Sequence, residues 1–126
     1  MKHSPGFLKM VEAARPGVKE LTLDEARARL EANPNALLMD VREDEEWQNG
    51  HADGAVHLGK GILERDLEQM VPDSNTEIIM YCGGGYRSVL TAKAAQLMDY
   101  GNVVSLKGGY GAILRGGWKV TKSNTS

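Results

Sequence analysis

The chain has 126 residues, 41% hydrophobic and 25% charged, the size and balance of one globular domain rather than of a disordered segment. Its 15 basic and 17 acidic side chains leave a net charge of −2, which argues against nucleic acid as a main partner, because phosphate-binding domains carry a basic excess. A single cysteine excludes an internal disulfide, three histidines without ligand spacing argue against a metal site, and no apolar run approaches the ~20 residues of a membrane span. No cofactor is implied, and with no signal-like leader the expected compartment is the cytoplasm.

Ser4-Pro5 reads as an N-cap followed by proline at the first helical position, and Phe7, Met10, Val11 and Ala14 follow at helical spacing until Pro16-Gly17. Thr22 and Glu25 have capping-box spacing, so a helix is expected over about Leu23 to Leu30, broken by Asn33-Pro34. Ala36 to Met39 is an apolar run ending at Asp40, the pattern of a buried parallel strand. Glu43 to Asn49 reads as a short acidic helix, mostly a solvated face, with Gly50 as its stop. Val56 to Leu58 is a second short strand, and Leu63, Leu67 and Met70 mark the core side of another helix. Ile78 to Tyr81 is the strongest strand, followed by Cys82-Gly83-Gly84-Gly85-Tyr86-Arg87 and an alanine-rich helix from Ser88 to Tyr100, stopped by Gly101. Val103 to Leu106 is one more strand, Gly108-Gly109 a turn, and Tyr110 to Leu114 a last helix. Strands alternating with helices predict an α/β sheet covered on both faces. The expected organisation is a helical extension over 1–20, one domain over 21–120 and a frayed tail over 121–126.

Cys82 stands where a buried strand ends and a glycine-rich loop leads into a helix. In open α/β sheets, ligands bind at the carboxyl ends of strands. Successive glycines let backbone N–H groups turn toward one point, and such a nest at a helix start favours an anion. A cysteine there, its thiol expected to face solvent, is favoured as thiolate. Arg87 closes the loop, either to bind an anion or to anchor the backbone. Tyr86 is expected at the pocket mouth.

These segments resemble the rhodanese family. Leu38-Met39-Asp40-Val41-Arg42-Glu43 with Glu45-Glu46-Trp47 is similar to its first motif, and Gly50 to Leu58 to its second. Cys82 to Arg87 fits C-x-x-G-x-R with Gly85 at the fixed glycine, and Val104 to Tyr110 with Trp118 is similar to the closing motif. The resemblance covers about Leu21 to Lys119. It implies a central parallel sheet flanked by helices, and sulfur transfer through a persulfide on Cys82. The amides of Gly83, Gly84, Gly85, Tyr86 and Arg87 would cradle the outer sulfur. The implied partners are a small-molecule donor, thiosulfate or a persulfide, and a cyanide, thiol or protein acceptor. Related phosphatases have a loop one residue longer, so phosphatase or arsenate reductase chemistry ranks below sulfur transfer, as does a non-catalytic binding module. This loop departs from some family members in having no cation between Cys82 and Arg87. Asp40 and Arg42 are expected to brace the loop, with Glu46 as a partner for Arg42. His51 is expected to fix a loop by hydrogen bonding, and His57 has no partner pattern.

Overall fold

Short apolar strands alternate with helices along the chain, and that alternation builds one parallel sheet. The computed structural model describes residues 3–122. In chain order these form helix α1 (Pro5–Ala14), strand β1 (Glu20–Leu21), α2 (Leu23–Ala32), β2 (Leu37–Asp40), α3 (Asp44–Gln48), β3 (His51–Ala52) and β4 (Val56–His57). They continue with α4 (Leu63–Met70), β5 (Ile78–Tyr81), α5 (Arg87–Leu97), β6 (Val103–Leu106), α6 (Gly109–Arg115) and β7 (Val120–Thr121). Five strands make the sheet in the order β1-β6-β5-β2-β4, all parallel, with β5 in the middle. β3 and β7 form a separate antiparallel pair, His51 opposite Thr121 and Ala52 opposite Val120.

Successive strand side chains point to opposite faces, so the apolar run of β5 serves two cores. Ile78 and Met80 pack with Val11 of α1, Leu63 and Leu67 of α4, and Val89, Ala92 and Ala95 of α5. Ile79 and Tyr81 pack with Ala26 of α2, Ile113 of α6, and Leu21, Leu38 and Leu106. All four β5 residues are buried, as a parallel strand covered on both faces requires. The expected α/β sheet with helices on both faces is therefore what the chain forms. No helix among the described residues is long and apolar enough to cross a membrane.

Several local expectations need correction. Ser4 occupies the N-cap position of α1 but makes no side-chain cap hydrogen bond. Met10 and Met70 are 60% and 44% exposed rather than core, because the buried stripe of α1 runs through Val11 and Met70 lies at the very end of α4. The helix expected to reach Tyr100 ends at Leu97, and Asp99 at φ 70° turns the chain before Gly101 is reached. The two-residue strands β1, β3 and β7 escaped the sequence reading, being too short to show a period. Thr121, placed in the frayed tail, pairs with His51 in β7; the last four tail residues, 123–126, lie outside the described residues. The capping box at Thr22 and Glu25 forms in both directions, at 3.2 and 2.9 Å.

The carboxyl end of β5 is fixed by α6. Tyr110 N–H donates to the Cys82 carbonyl at 2.7 Å and Gly111 N–H to the Gly83 carbonyl at 3.2 Å. Backbone lies so close there that a Cβ on Gly109, at φ +53°, would sit 2.3 Å from the Cys82 oxygen and 2.9 Å from Gly83. Neither neighbour is a flexible side chain, so neither can yield cheaply. Gly109→Ala is therefore expected to destabilise the fold by about 1–3 kcal/mol through forced overpacking. The measurement is urea denaturation, read as a lower midpoint at unchanged slope.

Candidate active site

Cys82 follows β5 directly and is 1% exposed. The expectation of a solvent-facing thiol is thus corrected: the sulfur sits at the floor of a pocket, because the chain turns inward over the start of α5. Two N–H donors reach Sγ, Gly85 at 3.2 Å and Ser88 at 3.4 Å, and the Ser88 hydroxyl lies 3.5 Å from it. The amides of Gly83, Gly84, Tyr86 and Arg87 make no backbone hydrogen bond within the described residues. With the positive end of α5 behind them, these groups are a donor set of the kind that accepts an anion. Of the three loop glycines only Gly85 needs its missing side chain for conformation: φ is +94°, and a Cβ would meet Gly108 N at 3.0 Å.

Ser88 and Ser105 were not singled out from sequence. Both are fully buried, and their hydroxyls lie 2.7 Å apart, extending a chain from Cys82 Sγ to β6. The available signal was Ser105 at an inward position of an otherwise apolar strand, facing the helix that starts beside Cys82.

The pocket above Cys82 has a volume of about 660 Å³ and is lined by His3, Phe7, Glu46, Gly83, Gly84, Tyr86 and Arg87. Tyr86 is on its wall, as expected at the mouth, and its ring faces those of His3 at 4.3 Å and Phe7 at 6.4 Å. Arg87 makes a bidentate pair with Glu46 at 2.7 and 3.0 Å. Those hydrogen bonds hold the Glu46 carboxyl below the usual carboxylate range against the opposing effect of partial burial, and they raise Arg87 in turn. Glu46 is thus the partner of Arg87 and not of Arg42. The reason is direction: α3 presents Glu46 toward the Cys82–Arg87 loop while Arg42 turns the other way, into the core.

Arg42 instead pairs with Asp40, Nη2 to Oδ2 at 2.8 Å, and donates to the Gly50 carbonyl at 2.6 Å. Asp40 Oδ1 also accepts from Arg42 N–H at 2.9 Å. The guanidinium lies 4.1 Å from the Tyr110 ring centroid, tying β2 to α6. Burial opposes the charge on Arg42, but the hydrogen bonds and charge of Asp40 outweigh it, and the guanidinium pKa stands above its ordinary value. Burial, and then the Asp40 charge, push the Tyr81 phenol up, while its oxygen accepts from Ala52 N–H at 3.1 Å. Asp40 and Arg42 do not line the Cys82 pocket. His51 donates from Nδ1 to the Trp47 carbonyl at 2.9 Å, and His57, for which no partner was foreseen, donates from Nε2 to the Arg42 carbonyl at 2.9 Å. Both rings stack on Trp47 and hold the segment after α3.

Comparison with known proteins agrees with this architecture. The family model of the rhodanese-like domain matches residues 22–119. The Bacillus subtilis protein named "Putative sulfurtransferase YtwF" is 30% identical over 92 residues, covering 73% of this chain and 86% of that protein. "Putative sulfur carrier protein YrkF" of the same organism is 26% identical over 89 residues, covering 71% of this chain and 47% of that protein, so the chain spans about half its length. Among solved structures, a Rhodopseudomonas palustris protein described as of unknown function, "Possible Tyrosine Phosphatase", superposes with a TM-score of 0.83 at 25% identity, covering 96% of this chain and 98% of that one. Thiosulfate sulfurtransferase from Pseudomonas aeruginosa superposes with a TM-score of 0.73 at 26% identity, covering 92% of this chain and 22% of that one. With the matched segment running from the cap of α2 to the approach of β7 and the same sheet beneath it, the chain belongs to the rhodanese-like domain family.

Proposed function

We propose that this protein is a sulfurtransferase that carries one sulfur atom on Cys82 as a persulfide. It takes that sulfur from thiosulfate or a persulfide and passes it to a thiophilic acceptor, such as cyanide, a thiol or a protein. The observation that carries this reading is the convergence of the Gly85 and Ser88 N–H groups on Cys82 Sγ in a pocket lined by Gly83, Gly84, Tyr86 and Arg87, whose amides make no backbone hydrogen bond among the described residues.

In the first step the Cys82 thiolate attacks the outer sulfur of the donor. The donor's sulfur–sulfur bond breaks, and with thiosulfate the leaving group is sulfite, which departs with the bonding pair. Cys82 then carries an outer sulfur with a negative charge, toward which the amides of Gly83, Gly84, Tyr86 and Arg87 are available as donors. In the second step an acceptor attacks that outer sulfur, the persulfide bond breaks, and the Cys82 thiolate returns. The sequence has one cysteine, so no internal thiol resolves the persulfide and the acceptor comes from outside. Asp40 and Arg42 serve this site as positioning residues, by holding β2, Gly50 and α6 together.

A phosphatase reading draws on the same cysteine and arginine. Only four residues separate Cys82 from Arg87, a ring suited to one sulfur atom, whereas a tetrahedral phosphate needs donors around several oxygens. Arg87 is also engaged by Glu46 at the mouth, which leaves the pocket lining with one positive and one negative side-chain charge. Both facts favour sulfur. Release of phenolate from an aryl phosphate, compared with thiocyanate formation from thiosulfate and cyanide, separates the two.

The central test is the mass of the intact protein after exposure to thiosulfate. The wild type should gain one sulfur atom that a reductant removes, and Cys82→Ser should gain none and form thiocyanate only at background rate. Full activity in Cys82→Ser would remove Cys82 from the reaction. A second expectation concerns the Arg87–Glu46 pair. Because Glu46 is held below the usual carboxylate range, the pair is present above the ordinary glutamate range and is lost only as pH falls through the lower folded-state value. Glu46→Gln removes the negative charge at neutral pH, so KM for thiosulfate should fall roughly 3–10-fold at low ionic strength and less in high salt.

A further inference from the structure

The pocket over Cys82 is completed by residues that the family match does not include. The match begins at residue 22, yet His3 and Phe7 are part of the lining. They form an aromatic wall with Tyr86: His3 lies 5.4 Å from Phe7 and 4.3 Å from Tyr86 by ring centroids. The segment carrying them is held firmly. Val11 is fully buried against α5, Arg15 binds Glu20 through two bonds of 2.9 and 2.8 Å, and Gln96 donates to the Gly17 carbonyl at 2.8 Å. Arg15 also lies 5.8 Å from the Tyr86 ring centroid, so the wall is backed on its outer side.

The electrostatics of the same pocket are neutral in sum. The two charged side chains in the lining, Arg87 and Glu46, neutralise each other, and Arg15 behind Tyr86 is engaged by Glu20 and Glu12. A small dianion therefore meets only backbone amides, while about 660 Å³ of space with three ring-bearing side chains exceeds what one sulfur atom fills. From this we infer that His3 and Phe7, with Tyr86, form a specificity wall, and that the sulfur donor matched to this protein carries an apolar or aromatic body next to its outer sulfur. This rests on the sulfur-transfer reading above and narrows it to a class of donor.

The step balances for such a donor. The Cys82 thiolate attacks the outer sulfur of R–SO2–S⁻, the sulfur–sulfur bond breaks, and the sulfinate R–SO2⁻ leaves with the pair. The outer sulfur remains on Cys82 with its negative charge, and no oxidant or reductant is consumed. For an organic persulfide R–S–SH the same attack releases R–S⁻ and leaves the proton on the transferred sulfur.

The test uses the full chain with benzenethiosulfonate and methanethiosulfonate, which share a reacting group and differ in the body, with thiosulfate as a third donor. Sulfur loading is followed by intact mass, and kcat/KM is measured for each donor. Phe7→Ala should lower the ratio of kcat/KM for the phenyl donor over that for the methyl donor by about 3–10-fold, the scale of one aromatic stacking contact. His3→Ala, outside any helix, should lower it in the same direction and stands as the second variant should Phe7→Ala fail to fold. An unchanged ratio in both variants, with sulfur still loaded on Cys82, overturns the specificity wall and leaves sulfur transfer intact. Failure of all three donors to load wild-type Cys82 overturns both.

Discussion

A loop can turn its N–H groups toward a bound anion only if its carbonyls find donors on the other side. Here that condition is met by the first turn of α6, whose Tyr110 and Gly111 amides take the carbonyls of Cys82 and Gly83. The approach is so close that residue 109 admits no side chain. Without this contact the loop carbonyls would be buried and unpaired, at about 1–3 kcal/mol each, or would rotate inward and oppose negative charge on the sulfur. The nest at Cys82 and the docking of α6 are thus one structural fact seen from its two sides.

The charged residues around the site divide into two pairs with different surroundings. Asp40 and Arg42 are buried, and a buried pair of this kind contributes little net stability while making the loss of either partner costly. Its effect is geometric, because Arg42 reaches both the Gly50 carbonyl and the Tyr110 ring and so relates β2 to α6. Arg87 and Glu46 line the pocket, and their bidentate pair neutralises the two charged side chains there. The buried pair ties the end of β2 to Gly50 and α6, and the outer pair balances the side-chain charge of the pocket.

The hydroxyl chain from Cys82 through Ser88 to Ser105 adds a polar seam to an otherwise apolar face. Buried hydroxyls need partners, and these two satisfy each other at 2.7 Å while Ser88 also lies within reach of the sulfur. The seam links α5 and β6 at the level of the Cys82 sulfur, so sheet packing and the environment of Cys82 are coupled.

Much of this protein was legible in its sequence. The alternation of apolar strands with capped helices gave a two-faced parallel sheet, because each strand must bury both sides. The Ile78–Tyr81 run placed Cys82 at a strand's carboxyl end, and the glycines that follow it marked a loop able to point amides inward. These are local properties, fixed by residue type and spacing. The partner of Glu46, the burial of Cys82 and the aromatic wall from residues 3 and 7 were not legible. Each depends on where segments distant in sequence meet: Glu46 and Arg87 are 41 positions apart, and His3 reaches Tyr86 only because α1 packs across α5. The spacing of a sequence fixes which face a side chain takes on its own element, and only the packing of elements decides which side chain it meets.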